Sequence, residues 1–197
     1  FSGGFIGVDV FFVISGYLIT TILIKDLENN SFDLINFYER RARRILPALY
    51  FMILTSVIIG WFILTPYFYR DLFQTITAIS LFMSNYLIYL KSGYFAPIGE
   101  LKPFLHTWSL AVEEQFYILW PLLLWLSWKR QFNLLIITVA VLIVSFFINY
   151  RYVDLYPTHI FFWPVGRFWE LLAGSVLAWI SLYKKNQFSS VFLLIDK

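Results

Sequence analysis

Apolar residues in this chain come in long unbroken runs, not in strict alternation or a narrow stripe. Residues 5–24 (FIGVDVFFVISGYLITTILI) carry one charge, Asp9, and residues 46–64 and 132–149 carry none. A helix rises about 1.5 Å per residue, so a run of this length reaches roughly 28 Å, enough for the hydrocarbon core of a bilayer. Residues 108–128 and 165–182 are also apolar, but the first holds Glu113 and Glu114 and the second Arg167 and Glu170. The pattern predicts an all-α, polytopic membrane protein with about five spans. Between the first two spans, Lys25 to Glu39 is the longest polar stretch, and it predicts a loop with a short interfacial helix, SFDLINFYER.

Residues 71–90 are long enough to span, yet hold Gln74, Thr75, Thr77, Ser80, Ser84 and Asn85. Gly93, Pro97, Gly99 and Pro103 follow, and such residues break helices. Orientation decides between crossing and not crossing. Lys and Arg are retained on the cytoplasmic side. If 71–90 does not cross, Lys25, Arg40, Arg41, Arg43, Arg44, Lys129, Arg130, Lys184 and Lys185 all fall inside. If it does cross, the Lys129–Arg130 and Lys184–Lys185 pairs fall outside. The first arrangement predicts a re-entrant segment between residues 71 and 107, entered from the outer face. Irregular backbone at membrane depth survives only where protein or a watery cavity receives its polar groups, so this segment marks a cavity.

Composition agrees with burial in lipid. Hydrophobic residues make up 60% and charged residues 14% of the 197, and the mean hydropathy is +0.72. Soluble chains carry about 25% charged residues. The net charge of +3 is too small to suggest a nucleic-acid partner. The absence of cysteine excludes a thiol nucleophile, a thiolate-bound metal and a disulfide. No metal-ligand cluster, glycine-rich phosphate loop or Ser-His-Asp spacing is present. The chain begins at Phe1, and a new apolar run begins at Phe188 close to its end. Both ends are therefore expected to be cuts within a longer protein.

Four groups of residues could carry chemistry. The Arg40-Arg41-Ala42-Arg43-Arg44 run offers guanidinium forks suited to phosphate oxygens, and helical spacing brings Arg40 and Arg44 to one face with Arg41 beside them. Its plainer reading is a topology signal, or attraction to anionic lipid heads. Ser109, Glu113 and Phe116, at spacings of four and three, share a helical face that continues to Trp120. A carboxylate in a span costs about 2.5–3.5 kcal/mol unless it faces a polar cavity, a cation or the interface. Glu113 is thus either functional or an acid that anchors the helix start. Glu114 points about 100° away and is the weaker candidate. His106 stands at the entrance of that helix, where a cap or hydrogen-bonding role competes with catalysis; His159 is expected to be structural. Asp9, Gly16 and Thr20 form a small, polar stripe better suited to helix–helix contact than to catalysis. Arg167 and Glu170, three apart, predict an internal ion pair.

Three blocks carry a resemblance: FSGGFIGVDVFFVISGYLIT, FYERRARRILPAL, and SGYF…ELKPFLHTWSLAVEEQFYILWP. Together, in this order, they resemble acyltransferase family 3, with the bacterial branch that O-acetylates lipopolysaccharide O-antigen or peptidoglycan most similar. The blocks cover residues 1–121, and residues 122–197 fit only as generic spans. The whole of 1–197 is then a partial membrane acyltransferase domain of the bacterial cytoplasmic membrane. The family's R-(K/R)-x-x-R motif falls on Arg40, Arg41 and Arg44 and implies binding of the acyl-coenzyme A donor from the cytoplasm. Its S-x-x-x-E-x-x-F motif falls on Ser109, Glu113 and Phe116.

The resemblance implies transfer of an acyl group, acetyl above all, from that co-substrate to a hydroxyl of an extracytoplasmic glycan, with no bound cofactor or metal. Glu113, with His106 and Ser109 near it, would serve the catalytic end; Asp9 and Phe116 would support it. The family's proposed catalytic histidine falls in a span N-terminal to residue 1, and His106 is not that residue. The stretch by itself is therefore expected to be inactive. The rival expectation is a transporter of a small polar solute, since buried acids and a re-entrant segment also build carrier sites.

Overall fold

The computed structural model describes residues 6–91 and 104–183. The described residues form eight helices: α1 (Ile6–Glu28), α2 (Leu34–Ile63), α3 (Pro66–Ser80), α4 (Ser84–Lys91), α5 (Thr107–Lys129), α6 (Leu134–Tyr152), α7 (Pro157–Phe162) and α8 (Pro164–Tyr183). Four of them, α1, α2, α6 and α8, are long and apolar enough to cross a membrane. The fifth expected span, α5, has 23 residues but is not among these four. Its Glu113-Glu114-Gln115 triplet lowers its apolarity without shortening it.

Two expectations change. The polar stretch 25–39 is mostly helical: α1 continues to Glu28, and α2 starts at Leu34. Only a short turn separates them, with Asn30 at φ 52° and Asp33 as the cap, its carboxylate accepting the Ile35 N–H at 3.0 Å. A capped start lets charged residues continue as helix, because Glu, Arg and Ala all favour it. The arginine run therefore sits inside a 30-residue helix, not beside one. Residues 71–90 are also not one helix. They break at Leu81–Met83, where Phe82 has φ 53°. The 15 residues of α3 reach only about 22 Å, and the eight of α4 less. The segment expected to be re-entrant is described to Lys91 and again from Phe104; Gly93, Pro97, Gly99 and Pro103 lie outside the described residues, as do Lys184, Lys185 and the run from Phe188.

The chain divides into two compact units, residues 1–31 with 116–197, and residues 32–115, and α5 contributes to both. In the first unit, α1 packs on α8 backbone to backbone. A Cβ added at Gly16 would sit 1.8 Å from the Leu171 carbonyl oxygen, and one at Gly174 would sit 1.9 Å from that of Val13. Only glycine permits this approach. It seats a buried hydroxyl ladder. Trp120 Nε1 donates to Thr20 Oγ1 at 2.9 Å, Thr20 donates to Ser175 Oγ at 2.7 Å, and Ser175 donates to the Leu171 carbonyl at 3.1 Å. The expected helix-contact role of Gly16 and Thr20 is what the geometry shows. Helix α6 meets α8 through Ser145, whose hydroxyl donates to the Val165 carbonyl at 2.5 Å and accepts the Trp169 N–H at 2.9 Å. Asn149 donates to the Gly166 carbonyl at 2.8 Å. At the far end of α8, Tyr183 donates to the Glu28 carboxylate.

The second unit is held differently. Leu49, Leu72, Ile79 and Phe104 form its small apolar core. Pro66 at the first turn starts α3 cleanly after Thr65. Tyr69 bridges back to α2, its ring 5.7 Å from Trp61. Asp71 and Lys91 tie α3 to α4 as an ion pair. The α3–α4 break docks on the start of α5 at two points. Ser84 donates to the Thr107 carbonyl at 2.8 Å. The Gln115 amide donates to the Phe82 carbonyl at 2.7 Å and to Asn85 Oδ1 at 3.1 Å. Backbone groups freed by the break thus find side-chain partners, as burial demands.

Candidate active site

The second unit brings together two of the sequence motifs. Arg41, in the second turn of α2, directs its guanidinium to Glu114 on α5 at 3.3 Å; the side chains are 19% and 10% exposed. Arg40 and Arg44 are exposed, one turn apart on α2. Arg43, also exposed, pairs along the helix with Glu39 at 2.6 Å. Glu113 is buried too, like Glu114. Two buried carboxylates at adjacent positions are costly in a low-dielectric body unless cations and hydrogen bonds balance them. Arg41 provides that balance for Glu114.

Glu114 was the residue the sequence ranked second. Its signal was present: an acid inside an apolar helix demands a cation, and the arginine run was the largest unassigned source of one. Helical spacing alone could not say which of two neighbouring acids would meet it.

His106 and Ser109 stand together at the start of α5. The Ser109 hydroxyl donates to the His106 backbone carbonyl at 3.0 Å, which is local capping at the start of α5. The His106 side chain is exposed, its ring 6.4 Å from that of Phe104. Phe116 is buried, stacked on Trp120 at 5.3 Å and edge-on to Phe168 at 5.4 Å. It is packing within the first unit. Among the described residues, no group of acids and histidines could hold a metal ion.

A separate charged cluster lies in the first unit. Arg167 reaches Glu170 at 2.5 Å, as its spacing predicted, and also Asp9 of α1 at 3.1 Å. Glu170 is 1% exposed. The ring of Phe161 lies 4.7 Å from the guanidinium, in cation–π range. Asp9 thus joins α1 to α8 electrostatically, a long-range pairing that sequence spacing does not encode.

Apolar helices of spanning length, with a buried ion pair inside each of the two units, define a polytopic membrane protein. The chain belongs to a family of acyltransferases: the acyltransferase domain matches residues 1–195. It is 38% identical over 181 residues to an uncharacterized protein of Haemophilus influenzae, across 86% of this chain and 73% of that one. It is 40% identical over 190 residues to a putative peptidoglycan O-acetyltransferase, YrhL, of Bacillus subtilis, across 90% of this chain and 29% of that one. It is also 40% identical over 186 residues to the peptidoglycan O-acetyltransferase OatA of Listeria monocytogenes, across 91% and 30%. The chain therefore spans under a third of the length of those two relatives. No solved structure matches it.

Proposed function

We propose that this chain is the membrane part of an enzyme of the bacterial cytoplasmic membrane that moves an acetyl group from acetyl-coenzyme A inside to a hydroxyl of a glycan outside, peptidoglycan being the acceptor class its named relatives favour. The observation that carries this reading is the meeting of Arg41 with Glu114. It brings the arginine run, suited to a phosphate-rich donor, within one side chain's reach of the S-x-x-x-E-x-x-F helix. A carrier for small solutes has no need of clustered guanidiniums there.

The reaction forms a bond from the acceptor oxygen to the acyl carbonyl carbon and breaks the bond from that carbon to sulfur. The hydroxyl proton passes to a base, and the departing thiolate takes up a proton. A free hydroxyl is too weak a nucleophile at neutral pH without that base. By family resemblance the base is a histidine outside residues 1–197. Glu113, buried on α5, orients that base or the acceptor hydroxyl. The arginine run anchors the donor's phosphates through charge-assisted bonds.

The test uses the full-length protein in liposomes with labelled acetyl-coenzyme A on one side and a glycan acceptor on the other. Glu113→Gln is expected to lower ester formation by roughly 100-fold, while the protein still inserts and stays folded. A wild-type protein that consumes no acetyl-coenzyme A sinks the reading.

A further inference from the structure

The arginine run is not one uniform surface. Arg43 is engaged along its own helix by Glu39, both side chains more than half exposed. Arg40 and Arg44 are exposed one turn apart. Arg41 lies about 100° round from Arg40 and is mostly buried against Glu114. We propose that the motif divides its labour: Arg44 takes the donor's phosphates, whereas Arg41 is a positioning residue that, through Glu114, fastens the arginine-bearing turn of α2 to α5. This inference rests on the donor reading above and sharpens it.

Three observations support the division. First, a guanidinium already facing a carboxylate offers a phosphate a neutralised pair, and the carboxylate repels the incoming charge. Second, both partners are largely buried, and parting them would leave a charge in a poor solvent. Third, α5 is held on another side by its next residue. Gln115 grips the α3–α4 break through Phe82 and Asn85, and Asn85 is fully buried. Glu114 and Gln115 point about 100° apart, as consecutive helical residues do. Between them they fix the rotation of α5, and with it the direction in which Glu113 points. Neither residue is a position of the family motif; both hold the helix that carries it.

The two roles separate in kinetics. A residue that binds donor sets its KM; a residue that aims Glu113 sets kcat. In the full-length protein in liposomes, with rates followed against acetyl-coenzyme A concentration, Arg44→Gln is expected to raise the donor KM about tenfold, the loss of one charge-assisted bond. Arg41→Gln and Glu114→Gln are each expected to lower kcat about tenfold with the donor KM changed by less than about threefold. The double variant is expected to lose no more than either single one, because the two residues act as one unit. The exchanged pair, Arg41→Glu with Glu114→Arg, is expected to recover kcat to within about threefold of wild type, which a direct phosphate ligand could not do. If the exchanged pair does not fold, the neutral cycle of Gln variants decides.

The proposal is overturned if Arg41→Gln raises the donor KM as Arg44→Gln does, or if the double variant loses the product of the single losses. It is also overturned if the single variants lower only the yield and melting point of folded protein, with kcat per folded molecule unchanged. A wild-type rate that ignores acetyl-coenzyme A removes the donor reading and this division together. A wild type that saturates with donor while Arg41 behaves like Arg44 removes the division alone.

Discussion

The two units of this chain are joined internally by opposite means. In residues 1–31 with 116–197, α1 and α8 touch through their backbones at Gly16 and Gly174. In residues 32–115, α2 and α5 are linked by extended arms, Arg41 to Glu114, and the α3–α4 break hangs on the Gln115 amide. Contact through backbones leaves no space between helices. Contact through long side chains holds the backbones further apart, with Leu46 and Leu110 packed against the apolar core between the elements. The contrast between glycine contact and arginine contact distinguishes the two units.

The contrast can be broken by substitution, starting with the largest effect. Gly174→Leu puts a side chain where a carbonyl oxygen already lies. It should exceed the roughly 4 kcal/mol that marks exceptional single-site losses, leaving no monodisperse protein on size-exclusion in detergent. Next, Arg167→Gln leaves Glu170 buried without its cation. A loss of about 3–5 kcal/mol is expected, read as a fall in melting temperature in detergent. Glu170→Gln, which removes the charge that needed balancing, should cost clearly less. Last, Gln115→Leu strips the Phe82 carbonyl of its donor. It should cost about 1–3 kcal/mol, with the protein still folded and the loss concentrated in turnover. If Gln115→Leu abolished folding as Gly174→Leu does, the second unit would be as tightly joined as the first, and the contrast would fail.

Much of the fold was legible because bilayer physics is coarse. A run of apolar residues about 28 Å long has few ways to be anything but a spanning helix, and the five expected spans all appear as helices, α1, α2, α5, α6 and α8. The ion pair of Arg167 with Glu170 was legible because three-residue spacing is local. The third member, Asp9, was not, because its partner lies 158 positions away. The extent of α2 was misjudged for a related reason. Polarity suggests a loop from Lys25 to Glu39 with a short interfacial helix, SFDLINFYER; polarity marks exposure, not irregularity, and the Asp33 cap within that segment starts the whole of α2. The site was half legible. Both motifs lie in helices, the arginines in α2 and Ser109, Glu113 and Phe116 in α5, yet the contact that joins them uses Glu114, one step off the motif. The Ser109 hydroxyl meets His106 at its backbone carbonyl, a local contact that helical spacing does not specify. Sequence spacing gives direction around a helix, but not which neighbour waits there.

Pro47 lies inside α2, one turn beyond Arg43, and both are exposed. Proline has no N–H, so the Arg43 carbonyl is denied its regular helical partner. An acceptor left over in this way is expensive in hydrocarbon and cheap in water. The turn that joins the arginines to the apolar stretch is therefore suited to the waterline and poorly suited to the oil. Depth in the bilayer becomes a property of one imino acid: slide the helix inward by a turn and a bare carbonyl goes dry.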